Sequence, residues 1–179
     1  VPSCCEAPAV PRHNRCPLAA SVEAPLRETL AAGILRLASW PPKDIRLDPM
    51  CGGGPIPLEA ALMARQIPPG ISRNFGFERL LVHDEKRWGH LREAARTKQL
   101  AEVPAAIYAS DHDPAMIKIA QRTFQAAGVA IDIRLKQSEI LDLEAPADQV
   151  GIVINPPLGV TLTQSDELES VYPKPGDSL

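Results

Sequence analysis

The chain is short of the features that would announce a partner or a compartment. Its 19 Lys and Arg do not outnumber its 22 Asp and Glu, and the net charge is −3. No global basic field therefore marks a nucleic-acid binder. Aromatic residues make up 4%, low for a globular chain. No apolar run approaches the ~20 residues needed to cross a bilayer, and no charged-then-apolar order opens the chain as a signal peptide would. Cytoplasmic location and no membrane partner are the expectations. The four cysteines make no disulfide framework: Cys4, Cys5 and Cys16 stand in a Pro-rich head near His13, and Cys51 stands in a glycine turn. A zinc site from Cys4, Cys5, His13 and Cys16 fits the usual paired spacing poorly, so no metal is expected.

At 179 residues, 45% of them hydrophobic, the chain is long enough to bury one core. Residues 1–23 are rich in Pro and Ala without a period and read as a linker or frayed head. Leu26, Leu30, Ile34 and Leu37 recur at helical spacing after Pro25, and Trp40-Pro41-Pro42 stops that helix. A short strand over Ile45–Leu47 runs into Asp48, and a helix follows over Pro55–Arg65. Residues 71–104 are an insertion, with a helix expected over Asp84–Lys98 and with Phe75, Phe77 and Trp88. Strands are expected at Ala105–Ala109, Ala130–Leu135 and Gln149–Ile154. Between the first two of these, Asp113 caps a helix that Pro114 opens and Gly128 ends. Strands alternating with helices predict an α/β fold with a parallel sheet and right-handed crossovers. A short helix over Asp166–Val171 is the last feature, and further strands of a full sheet are missing or lie elsewhere.

Two motifs carry chemistry. Asp48-Pro49-Met50-Cys51-Gly52-Gly53-Gly54-Pro55 is a glycine-rich turn between strand and helix, where backbone can approach a ligand closely. Asp48 is placed to accept from a cofactor ammonium, and no Lys-Ser/Thr follows to make a phosphate loop. A tight turn that binds nothing is the alternative. Asp111, at the end of the second strand, can take both hydroxyls of a ribose. Its long separation from the glycines argues against a nicotinamide fingerprint. His112 suits packing beside an adenine, whereas capping alone explains Asp113. Glu139 suits an adenine amino group, with a solvated loop carboxylate as the alternative. The second motif, Asn155-Pro156-Pro157, puts an amide oxygen and a carbonyl at a strand's carboxyl end. Both can accept from an exocyclic amine and orient its nitrogen, which is positioning rather than base catalysis. An edge turn that merely stops a strand is the alternative.

From Ala24 to Leu179 the chain resembles the bacterial 23S rRNA guanine-N2 methyltransferases that carry a THUMP RNA-binding domain. It is also similar to N6-adenine-specific DNA methylases. The resemblance rests on 24–32 (APLRETLAA), 48–55 with Glu59-Ala60-Ala61, 75–79 (FGFER), 110–114 and 155–159. It implies a Rossmann-like class I methyltransferase fold over residues 24–179, lacking its C-terminal strands and the THUMP domain. It implies S-adenosylmethionine as cofactor, held by Asp48, Cys51, Gly52, Gly54, Asp111 and Glu139, with Thr29 bordering the pocket. It gives Asn155, Pro156 and Pro157 the amine-orienting role and makes ribosomal RNA the expected partner.

The chain departs from the family's pattern in two residue motifs. Leu158 stands where the family has an aromatic that stacks on the target base, a contact worth about 1–3 kcal/mol. Gly53 and Pro55 replace a Ser and a Thr of the glycine turn. Methylation of guanine N2 is the leading expectation. Adenine N6 methylation and a non-catalytic cofactor-binding remnant are the rivals.

Overall fold

The computed structural model describes residues 26–71 and 73–156. The cysteine-bearing head, Pro157, Leu158 and the helix expected over Asp166–Val171 lie outside the described residues.

Helix α1 spans Glu28–Leu37 and is followed by strand β1, Arg46–Asp48. Helix α2 covers Pro55–Ala64, a 3-10 turn Gly76–Arg79, and helix α3 Glu85–Thr97. Strand β2 (Ile107–Asp111), helix α4 (Pro114–Ala127) and strand β3 (Ile133–Gln137) come next. A second 3-10 turn, Ile140–Asp142, precedes strand β4, Gly151–Ile152. The order across the sheet is β3-β2-β1-β4, and every pair is parallel. The chain builds outward from β1 through β2 to β3, then returns to the other side of β1. That reversal makes a crevice at the carboxyl ends of β1 and β4, where open α/β sheets take their ligands.

Local chemistry explains most boundaries. Asp113 accepts from Ala115 N–H at 2.7 Å, Pro114 opens α4, and Gly128 closes it at φ 72°. Asp84 caps α3 through Arg87 N–H at 2.9 Å. Strands β1 to β3 sit a residue or more later than sequence periodicity placed them, β2 takes in Ser110 and Asp111, and β4 is shorter at both ends than the expected Gln149–Ile154. Pairing decides this: the Asp111–Gln137 rung extends the ladder past the apolar run.

The face of α1 differs from expectation. Leu30 and Leu37 are exposed, while Glu28, Ala31, Ala32 and Leu35 are buried. Small residues let α1 lie close against α2, whose Ala60, Ala61 and Ala64 are buried in turn. Helix α2 is buried on almost every side, as a helix between a sheet and other helices must be. The core centres on Leu35, Ile56, Leu58, Ile107, Phe124 and Val129.

Far from the crevice, Arg65 joins three segments. It donates to Leu100 O at 3.1 Å and Gly128 O at 3.0 Å, and pairs with buried Asp132 at 3.1 Å. None of the described helices is long and apolar enough to cross a membrane.

Gly54 is required by space as well as by backbone. It caps α2 at φ 84°, and a Cβ there would lie 2.6 Å from the Phe124 ring. Gly54→Ala is expected to lower unfolding free energy by at least about 2 kcal/mol in a denaturant titration. A wild-type midpoint would mean that the ring moves aside freely.

Candidate active site

The glycine turn is held against β2 by hydrogen bonds that the sequence does not display. Cys51 N–H donates to Ser110 O at 2.8 Å, and Ser110 Oγ donates to Pro49 O at 3.3 Å. Gly52 N–H donates to Asp111 Oδ2 at 2.8 Å across 59 residues of chain. Gly52 itself sits at φ 54° with nothing within 4 Å of a Cβ built on it, so the turn's outer side is open to a ligand.

Asp111 is the organiser of this end of the sheet. Its Oδ1 accepts from Asp113 N–H at 3.0 Å and lies 3.5 Å from His112 Nδ1. Each carboxylate oxygen has two acceptor directions, so one remains on each for a vicinal diol. His112 is exposed, and its carbonyl accepts from Gln137 Nε2 at 3.1 Å. Ser138 N–H donates to Asp111 O at 3.1 Å and brings the end of β3 alongside. Glu139 follows it, exposed, ahead of the second 3-10 turn.

Asp48 ends β1 and is 1% exposed, with Met50 N–H donating to its Oδ1 at 3.3 Å. Burial raises its carboxyl from 3.8 to about 7; Asp111 adds to the rise, and Met50 N–H and Arg46 oppose it. So weakly satisfied a buried carboxylate is suited to a cation that arrives from outside. Burial, with Asp48 and Asp111 nearby, pushes the Cys51 thiol well up, so in the empty site it is protonated at neutral pH.

On the other side of β1, Gly151 N–H donates to Ile45 O at 2.9 Å and Val153 N–H to Leu47 O at 3.2 Å. Asn155 and Pro156 follow this ladder past the carboxyl end of β4, the strand next to β1, and Asn155 is exposed. Thr29 is exposed in the first turn of α1, with no side-chain hydrogen bond among the described residues. Hydrogen bonds thus tie Cys51 and Gly52 to Ser110 and Asp111, with His112 Nδ1 3.5 Å from Asp111 and with Asp48 at the end of the adjoining strand β1. The structure sets Glu139 and Asn155 at the ends of flanking strands and leaves Thr29 without a bond to any of them. Gly54 supports the turn from beneath. The sequence does not single out Ser110, Gln137 or Phe124 as supporting residues. Only the place of Ser110 beside Asp111 hints at its role.

Known proteins are similar to this chain in sequence and in fold. "Ribosomal RNA large subunit methyltransferase K/L" of Shewanella loihica is 39% identical over 173 residues, 93% of this chain and 24% of that protein. The homologue of Shewanella oneidensis carries the same name and is 38% identical over 172 residues. The chain therefore spans about a quarter of the length of the curated relatives it matches. Among solved structures, SMU.472 in complex with SAH superposes with a TM-score of 0.83 at 30% identity, over 88% of this chain and 42% of that one. A "predicted N6-adenine-specific DNA methylase" of Listeria monocytogenes gives 0.84 at 32% identity, over 93% and 44%. The fold is that of the class I methyltransferases, for which S-adenosylmethionine is the cofactor. The UPF0020 family model, described as an RMKL-like methyltransferase domain, matches residues 18–179, and the chain belongs to that family.

Proposed function

We propose that this chain transfers a methyl group from S-adenosylmethionine to an exocyclic amine of a nucleobase, namely guanine N2 of 23S ribosomal RNA. The observation that carries the reading is that β4, which leads to Asn155-Pro156, pairs directly beside β1, which ends at Asp48. A cation-accepting carboxylate and a pair of amine acceptors thus stand at and just past the ends of neighbouring strands.

The residues present fit the cofactor. Asp48 offers a buried carboxylate to its ammonium, and Asp111 retains one acceptor direction per oxygen for the ribose hydroxyls. The open side of Gly52 admits a ligand against the backbone of 51–53. His112 and Glu139 are exposed at the ends of β2 and β3, where an adenine would be bordered, and Thr29 is assigned to the pocket's margin. Bound there, the cofactor supplies an electrophilic methyl group. The chain's own part is positioning. Asn155 Oδ1 and the Pro156 carbonyl accept the two amine N–H bonds, turning the nitrogen lone pair out of conjugation with the ring. Pro157, outside the described residues, shares the amine-orienting role in this reading. No side chain here is asked to remove a proton before transfer.

The relatives' name supports ribosomal RNA as substrate, and a cytoplasmic place of action follows from that substrate. The Listeria neighbour's name favours a second reading, adenine N6 methylation. Incubating the chain with S-adenosylmethionine and unmodified 23S rRNA, then digesting to nucleosides, separates the two. N2-methylguanosine is the expected product. N6-methyladenosine would overturn the guanine assignment, and no methylated nucleoside despite bound cofactor would favour the non-catalytic remnant.

A further inference from the structure

The insertion at 71–104 stands apart from the rest of the chain in composition and in packing. It holds seven Lys or Arg against five Asp or Glu, a net of +2, where the remainder of the chain carries −5. Helix α3 contributes no buried residue, so the insertion is not explained by the core. Its aromatics form a cluster of their own: Phe77 lies 5.0 Å from Trp88 and 5.5 Å from Phe75, and His83 lies 5.7 Å from Phe77. Of the eleven large apolar residues exposed among the described residues, six are here, including Phe77 at 41%, Leu80, Leu81 and Val82. A groove of about 280 Å³ runs beside them, lined in part by Phe77, Val82, His83, Arg87 and Leu91.

The acids of this region are mostly engaged and the cations mostly are not. Glu78 accepts from Phe75 N–H at 2.8 Å, Asp84 caps α3, and Glu93 pairs with Arg96 at 3.6 Å. Arg79, Lys86, Arg87 and Lys98 have no ion-pair partner among the described residues. Arg87 and Leu91 fall on one side of α3 by helical spacing, and Lys98 is the residue that ends the helix. Free cations beside half-exposed rings are the combination that holds a phosphate backbone and stacks unpaired bases.

We propose that this insertion is an auxiliary contact surface for single-stranded RNA. It rests on the methyltransferase reading above and adds to it where this domain grips its substrate. The surface lies beyond the C-terminal end of α2, and the glycine turn lies at the other end, about 15 Å away along that helix. RNA bound there engages the domain without entering the reaction crevice. Arg79, Lys86, Arg87 and Lys98, without ion-pair partners among the described residues and beside exposed rings, are what suit this unit to a phosphate backbone.

The test is anisotropy titration of the full chain with a fluorescein-labelled oligouridine at several salt concentrations. S-adenosylmethionine titrations are run on the same samples. The doubly reversed variant Arg79→Glu/Arg87→Glu changes two exposed side chains, and Lys118→Glu/Arg122→Glu on exposed positions of α4 is the control. The expected result is affinity at least about tenfold weaker for the first variant, with the slope of log K against log salt reduced by about 1.4. The control stays near wild type, and cofactor binding is unchanged in all three proteins. Equal loss in the control, no loss in the Arg79/Arg87 variant, or no RNA binding by a cofactor-binding chain would each overturn the surface. So would reversal that disperses a self-associated form in sedimentation while leaving RNA affinity intact, because the patch would then be a protein interface. Absence of cofactor binding in the wild-type chain would instead strike the methyltransferase reading.

Discussion

Asp48→Asn raises the dissociation constant for S-adenosylmethionine by roughly 10–150-fold, the loss of one charge-assisted contact worth about 1.5–3 kcal/mol. The melting temperature stays the same or rises. The two effects have one cause. Burial at 1% exposure, beside Asp111, makes the ionised carboxylate costly in the empty protein, which is why its pKa stands at about 7 instead of 3.8. An amide of the same shape keeps the bond from Met50 N–H and removes the charge. The residue thus opposes folding and favours binding.

The pH dependence follows with a definite sign. Between about 4 and 7 the native chain holds a proton on Asp48 that the unfolded chain has lost. The native state binds more protons in that window, so this residue's contribution to stability falls as pH rises through it. Cofactor affinity runs the other way. An ammonium binds the ionised form, so affinity rises about tenfold per pH unit until it levels off near 7. Calorimetric titrations from pH 5 to 8 check both slopes, and each flattens in Asp48→Asn. Identical affinity and identical slopes in the variant would remove Asp48 from the cofactor site.

Asn155→Ala lowers kcat by roughly 10²-fold or more, a loss of the size seen when one positioned polar group is removed or a reacting atom is misplaced by about 1 Å. Cofactor affinity stays near wild type, because Asn155 is exposed and makes no hydrogen bond to the glycine turn among the described residues. The amine presents two N–H donors, so the site needs acceptor oxygens and makes no use of the amide NH2. Asn155→Asp therefore keeps a measurable part of the activity that Asn155→Ala loses. Single-turnover assays with saturating cofactor separate the chemical step from binding. Wild-type turnover in Asn155→Ala would sink the positioning role.

Much of this protein could be read from local chemistry. The cap and first turn of α4, its end at Gly128, the span of α2 and the cap of α3 follow from residue types at fixed offsets. The parallel sheet followed from strands alternating with helices. The motif at 48–55 and the Asn-Pro-Pro end of β4 were visible because turn chemistry and acceptor chemistry each demand particular residues. The buried face of α1 was not legible. Leu30 and Leu37 carry the helical period, yet close approach to the alanines of α2 selects Ala31, Ala32 and Leu35 for the interior. Strand bounds shifted for a similar reason: the pairing partner, not the apolar run, ends a ladder.

By itself, then, the sequence determined which residues are able to act: a carboxylate after a strand, glycines free to take positive φ, and an amide held before prolines. These are properties of single residues and their near neighbours. Only the tertiary structure decided which of them meet. The bond from Gly52 to Asp111 spans 59 residues. The exclusion of any side chain at Gly54 comes from Phe124, a helix away. The crevice exists because β4 returns to the far side of β1. Asp48's shifted carboxyl depends on that burial and on a second acid from another strand. Distances between segments far apart in sequence, and the loss of water around them, arise only when the chain has folded.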